Sequence, residues 1–434
     1  MYVAHLKISG VRGFSGAREV DLAFARPDHT YAGWTVLAGR NGAGKTTLLQ
    51  AIGLAISGSW LMPGADVEAW ADPPSDDRPR MVSVTIVPDE HLDDAGLFTG
   101  LQRSITTTTR WHPGHGVGWE TDDRLSGPPR GGHTGRGWLC VGYGPFRRLS
   151  GGSPIRRGHD RRGRHDGGMS TLFDEDAALT EGVDWLVEQH LLQLEERPGA
   201  GPLLENVLAL LSDGLLPDDH RIRRVDSDGL WVDRRGEEVP LRRMSDGYRA
   251  VTALVLDIVR QMYLAYGSLG FGQVNGVPAL THPGVVLIDE VDAHLHVSWQ
   301  QKIGEWLKAH FPRIQFIVTT HSPYVCQSAS PGGLIRLPGP DEEDSARVVD
   351  EDLYRRIVYG SGDDAVVTEL FGVDSAYSPR SDELREDLGD LEVKVLDGNA
   401  TPAEIEEYER LSRTLASSPA TRVREVSQTL GPDS

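Results

Sequence analysis

A chain of 434 residues with a formal charge of −20 is too long for one small core and predicts two or three lobes. Its acidity excludes blanket nucleic-acid binding but leaves room for a local basic surface. The start, MYVAHLKISGVRGF, has no leader-like apolar stretch, no apolar run is long enough to span a bilayer, and Cys140 and Cys326 have no metal or redox spacing. A reducing cytoplasm is the expected compartment.

In chain order, YVAHLKIS and REVDLAF alternate roughly and predict strands, and WTVLA predicts a buried one. GRNGAGKTTLLQAI follows, and its helix carries Leu48, Leu49, Ile52 and Ile56 at helical spacing. Residues 60–80 are rich in Pro and Asp and predict a loop. MVSVTIV, SITTTT and GWLCVGYG predict further strands. Residues 112–168 turn to Gly, Arg and His: Arg124, Arg130, Arg136, Arg147, Arg148, Arg156, Arg157, Arg161, Arg162 and Arg164 face a single acid, Asp160. The run reads either as a solvated loop or as a patch that tracks phosphates. On the second reading Arg147, Arg148, Arg156, Arg157, Arg161, Arg162 and Arg164 would contact DNA. His112, His115, His133, His159 and His165 are too irregularly spaced for a metal site, and no cysteine pairs with them.

EGVDWLVEQHLLQLEE and PLLENVLALLSD predict amphipathic helices, and RIRRVDSDGLWVDRRG a hairpin through Ser-Asp-Gly. No heptad repeat is sustained, which excludes a long coiled coil. After residue 285 a strand–helix–strand–helix pattern resumes. From about 341 the chain is acidic, with helices expected in DELREDLGDLEVKVL and PAEIEEYERLSRTLA and a disordered end. The expected organisation is 1–70, bearing the phosphate loop; 71–175, strand-rich with the basic insert; 176–236, a helical lobe and hairpin; 237–340, the second part of the head; and 341–434, an acidic helical tail.

Four motifs carry chemistry. GRNGAGKT fits G-x-x-x-x-G-K-[ST] through Gly39, Gly44, Lys45 and Thr46, with Asn41, Gly42 and Thr47 completing the loop. Its N–H groups and the helix N-terminus would cradle phosphates, Lys45 would reach the β- and γ-phosphates, and Thr46 would ligate Mg²⁺. In GVVLIDEVDAH an apolar strand ends in Asp289, placed to hold Mg²⁺, and Glu290, placed to act as general base on water. QFIVTTHSP ends a second apolar strand at His321, where ligands of α/β sheets bind. RRMSDGYRAV resembles the Leu-Ser-x-Gly-x-Arg/Gln signature of ABC-type ATPases, with Met244 in place of Leu. Ser245 and Gly247 open a helix whose buried face is marked by Val251, Leu254, Val255 and Ile258. Ser245 serves either as an anion site or as an ordinary N-cap.

The whole order resembles the ABC-type ATPases of the SMC/RecF/OLD group. LKISGVRGFSGAREVDLAF is similar to that group's start, and by that likeness Arg12 is a candidate nucleotide contact. DEVDAHLHVSWQQKI and FIVTTHSPYV resemble the OLD-like ATP-binding proteins of bacterial phage-defence systems, the Septu type (PtuA-like) among them. His294 and His296 stand where SMC proteins carry Ala-Leu-Asp. The resemblance covers roughly residues 1–60 and 237–330. It implies an α/β ABC-type head, a mixed-sheet lobe plus a helical lobe, with the basic insert and acidic appendage added. It also implies slow, regulated ATP hydrolysis with Mg²⁺ and a homodimer or higher oligomer that sandwiches ATP, Ser245 and Gly247 completing the site at Lys45 of a second head. A partner nuclease, HNH-type in a Septu-like pair, and no membrane partner complete what it implies. There are departures from the pattern. No Q-loop glutamine ends a strand after the phosphate-loop helix, Gln102 precedes its strand, and the YGPFRR turn takes that place. No acidic Toprim-like nuclease cluster follows. A RecF-like repair ATPase, an ATP-gated scaffold that binds no DNA and a transporter subunit are the alternatives.

Overall fold

The structure is a computed structural model that describes residues 1–57, 66–72, 79–89, 92, 104–112, 116–121, 138–147, 168–175 and 177–415. The basic run except Arg147, Gln102, His115, His133, His159, His165, most of 60–80 and residues 416–434 lie outside them. The chain forms two compact units, 1–371 and 372–434.

The first unit begins with β1 (Tyr2–Ser9), β2 (Val20–Ala23), β3 (Gly33–Ala38) and helix α1 (Lys45–Ser57). Strands β4 (Arg80–Val87), β5 (Ile105–His112), β6 (Gly116–Thr121) and β7 (Cys140–Tyr143) come next. Helices α2 (Ser170–Phe173), α3 (Glu181–Leu194) and α4 (Ala200–Ser212) lead to β8 (Arg221–Asp226), β9 (Gly229–Arg234) and β10 (Glu237–Pro240). The long helix α5 (Asp246–Tyr266) is followed by β11 (Phe271–Val274), β12 (Val277–Leu280) and β13 (Gly284–Ile288). Then come α6 (Val297–Gln300), α7 (Ile303–His310), β14 (Ile314–Thr320), α8 (Pro323–Cys326), β15 (Leu334–Arg336), β16 (Arg347–Val348), α9 (Glu351–Val358) and α10 (Gly362–Val366).

The central sheet has the order β16-β15-β3-β14-β13-β7. All its pairs are parallel except β15–β16. An antiparallel sheet, β2-β1-β4-β5-β6, forms a second layer. Alternation along the central strands sorts side chains into two cores. Trp34, Val36, Val286, Ile288, Phe316 and Val318 face α5, α7 and the α3–α4 lobe. Leu37, Val285, Leu287 and Ile317 face α1 and the antiparallel sheet, whose Leu6, Ile8, Val82 and Val84 close the other core. Burial on both faces explains why β13 and β14 read as continuous apolar runs rather than alternating ones. The result is a mixed α/β head with a helical lobe.

Cys140 and Cys326 are free and buried. Among the described residues no helix is long and apolar enough to cross a membrane. Two elements depart from the sequence reading. Strand β6 lies inside the Gly-rich stretch, and β11–β12 is a hairpin turned by Asn275 and Gly276, both in the left-handed region. Residues 341–371, expected in the acidic tail, contain β16, α9 and α10 of the first unit. The second unit contains α11 (Pro379–Leu396) and α12 (Pro402–Thr414), capped by Ser378 and by a Thr401–Glu404 capping box.

Candidate functional site

The ends of β3, β13 and β14 bring three of the four motifs together. Strand β3 stops at Ala38 and α1 starts at Lys45, so residues 39–44 form the turn. Gly42 (φ 77°) and Gly44 (φ 92°) take left-handed conformations that cost any L-residue. Gly44 is doubly constrained, since a Cβ there would sit 2.4 Å from the Phe14 ring. At Gly39 a Cβ would sit 2.5 Å from the Leu337 carbonyl oxygen. Asn41, Gly42 and Thr46 are exposed, whereas Lys45 is buried. Its Nζ donates to the carbonyls of Gly39 (2.8 Å) and Arg40 (3.1 Å). Burial lowers its pKa, against the charges of Asp289, Glu290 and Asp292. A buried ammonium held only by carbonyls of its own loop is one that a phosphate can recruit.

Asp289 is fixed through both carboxylate oxygens. Thr46 Oγ1 donates to Oδ2 (2.7 Å) and Thr319 Oγ1 donates to Oδ1 (2.5 Å). The same Thr319 hydroxyl accepts the Glu290 N–H at 2.7 Å. Glu290 itself sits at φ 44°, a conformation rare for a non-glycine residue and typical of sites where strain is held in place. Val291 N donates to Thr319 O at 3.0 Å, tying the bend to β14. A hydroxyl and a carboxylate in contact are hard oxygen donors of the kind Mg²⁺ selects, so this pair fits the ion. Beyond the bend, Thr320 Oγ1 donates to Asp292 (2.5 Å) and Ser322 Oγ to Gln300 (2.7 Å).

His321 follows β14 directly and is exposed. Desolvation, then the charge of Lys45, lowers its pKa while Asp292, Glu290 and Asp289 oppose, so the imidazole is held toward its neutral form. Arg12 lies at φ 46° with its guanidinium 3.9 Å above the Trp70 ring and Nη1 donating to Gln50 of α1 (2.7 Å). Thr47 is partly exposed in the first turn of α1.

The signature residues form a separate corner. Ser245 caps α5 without a side-chain capping bond. A Cβ on Gly247 would meet the His294 carbonyl oxygen at 2.5 Å. The signature is therefore packed on the loop after Glu290. Among the described residues no hydrogen bond joins Ser245 or Gly247 to the phosphate loop of the same chain.

The YGPFR turn leaves β7 beside the acidic pair. Strand β7 runs parallel beside β13 with Tyr143 opposite Ile288, and Asp289 N donates to Tyr143 O at 2.7 Å. Arg147 requires a correction. Read as a DNA contact, it is 4% exposed and donates to the carbonyls of Gly144, Asp289, Glu290 and Val291. A guanidinium enclosed by main chain cannot meet a phosphate backbone. Asp292, Thr319 and Thr320 were not singled out in the sequence. The only signal was the hydroxyl pair before His321.

A phosphate loop between a parallel strand and its helix, with an acidic pair two strands away, gives the fold and the site of a P-loop nucleotide-binding head. The chain is similar to several known proteins. Residues 182–327 match the family model described as "AAA domain, putative AbiEii toxin, Type IV TA system", and residues 5–65 match an "AAA domain" model. The "Retron Ec83 probable ATPase" of Escherichia coli is 43% identical over 99 residues, 23% of this chain and 17% of that protein. "Septu protein PtuA" of Bacillus mycoides (strain KBAB4) is 26% identical over 320 residues, 72% of this chain and 37% of that protein. The chain spans less than half the length of either relative. Among solved structures, the SMC head domain from Thermotoga maritima aligns with a TM-score of 0.44 at 17% identity, over 81% of this chain and 100% of that one.

Proposed function

We propose that this chain binds and hydrolyses ATP, that two heads close around the nucleotide, and that the cycle controls a partner effector in defence against phage. The observation that carries the reading is Asp289, held between Thr46 of the phosphate-loop helix and Thr319 of β14, with Glu290 presented beside it. In this reading the N–H groups of 39–47 bind the phosphates, and Lys45 leaves the carbonyls of Gly39 and Arg40 to pair with them. Thr46 and Asp289 would hold Mg²⁺, which neutralises phosphate charge when bound. Glu290 accepts the proton of the attacking water, and neutral His321 orients water or the γ-phosphate. Arg12 lies beside the nucleotide.

The separation of Ser245 and Gly247 from the phosphate loop supports the view that they complete the site of a second head. ATP would then close the dimer, and hydrolysis to ADP and phosphate would release it. The retron and Septu names of the relatives support a defence role, and a nuclease is the effector proposed. Arg148, Arg156, Arg157, Arg161, Arg162 and Arg164 remain the proposed DNA contacts.

The test is Glu290→Gln beside Lys45→Ala. Glu290→Gln should retain ATP binding, lose turnover by about 100-fold or more and accumulate as an ATP-dependent dimer in size-exclusion chromatography with light scattering. Lys45→Ala should lose nucleotide binding. Wild-type turnover in Glu290→Gln would remove Glu290 from the role of base.

A further inference from the structure

The turn after β7 holds a charged group for which nucleotide binding gives no account. Arg147 Nη1 donates to Gly144 O (3.1 Å) and Asp289 O (2.8 Å), and Nη2 donates to Glu290 O (2.9 Å) and Val291 O (3.4 Å). All four acceptors are main-chain carbonyls. Among the described residues no carboxylate oxygen takes a bond from this guanidinium. The carboxylates of Asp289, Glu290 and Asp292 balance its charge from a distance, and burial brings its pKa down to about 10, which leaves it charged at neutral pH. An enclosed arginine without a bidentate partner is an expensive choice for stability alone.

Three of the acceptors are consecutive. In an extended strand successive carbonyls point to opposite sides. Here those of Asp289, Glu290 and Val291 converge on one planar fork because the chain turns left-handed at Glu290. The fork and the bend therefore specify one another. We propose that Arg147 is a positioning residue that gathers these carbonyls and holds the bend that presents Glu290. It would act on the backbone that carries the acidic pair. The strand that leads into this turn also holds the bend, since Tyr143 O accepts the Asp289 N–H. The role in turnover rests on the ATPase reading above. The clasp itself does not.

The experiment compares the wild type with Arg147→Lys and Arg147→Ala in ATP turnover, nucleotide affinity and hydrogen exchange over residues 289–293. A lysine keeps charge and donors but cannot span three carbonyls. Arg147→Lys should lower kcat on the order of 10- to 100-fold while nucleotide affinity changes less than about threefold. Exchange over 289–293 should rise. Ethylguanidinium should restore part of the turnover of Arg147→Ala, a recovery that a general loss of folding would not show. Should Arg147→Ala fail to fold, Arg147→Lys carries the test. An unchanged kcat, a loss of affinity with kcat retained, or unchanged exchange over 289–293 each overturn the proposal. A wild type that binds ATP without turning it over sinks the ATPase reading instead, and exchange then decides the clasp alone.

Discussion

Thr319 does two jobs with one hydroxyl: its proton goes to Asp289 Oδ1 and its lone pair receives the Glu290 N–H. The side chain is fully buried, so water cannot replace either bond. Thr319→Val keeps the shape and removes both. It should cost about 2–3 kcal/mol, the range for a hydrogen bond to a charged group plus an orphaned donor, read from urea denaturation. It should also lower ATP turnover more than ATP affinity. Lys45, Thr46 and Asp289 could be named from the chain alone because spacing fixes them within one turn or at one strand end. Thr319 and Arg147 could not. Their roles arise from which strands lie side by side: Thr319 meets Asp289 across 30 residues of chain and Arg147 meets it across 142. Arg147 was misread because a run of arginines says nothing about which one points inward.

At the level of elements, α5 is tied to the site by more than its signature end. Tyr143, the last residue of β7, donates its hydroxyl to Asp257 of α5 at 2.9 Å. Arg260 pairs with Glu181 of α3 at 2.6 Å and approaches Asp257 at 3.5 Å. Burial raises the Asp257 carboxyl to about 6, against the hydrogen bond from Tyr143 and the charge of Arg260. The folded chain thus holds a proton at a pH where the unfolded chain has already lost it. Stability from this group is greatest below the ordinary Asp value and falls as pH rises toward about 6. Going from about pH 7 to about pH 5 should stabilise the wild type by about 1 kcal/mol relative to Asp257→Asn, measured by denaturation at both pH values. The elements around the motifs were legible because helical spacing and apolar runs mark them. The β11–β12 hairpin carries a readable Asn-Gly turn signal, but its strands are only four residues each and show little alternation. Strand β6 offered too little apolar alternation to be seen.

Across the whole molecule, the two cores lie on opposite faces of one sheet and every member of both falls within residues 1–371. Helix α11 buries no residue and α12 only Leu411. Ending the chain at residue 371 should therefore shift the melting temperature by less than about 3 °C and leave nucleotide affinity unchanged, checked by calorimetry and titration. The strand order has one more effect. Among the described residues, β3, β13 and β14 are each bonded on both sides, but β7 is bonded to β13 alone, through four residue pairs. It is the hem of the sheet. The carbonyl that secures Asp289 and the arginine that gathers the next three carbonyls both belong to this hem and the turn leaving it. In the sequence, β7 is flanked on both sides by the Gly- and Arg-rich stretches. Because Val141 and Tyr143 belong to one core and Cys140 to the other, this one short seam joins the packing on both faces of the sheet to the bend at Glu290.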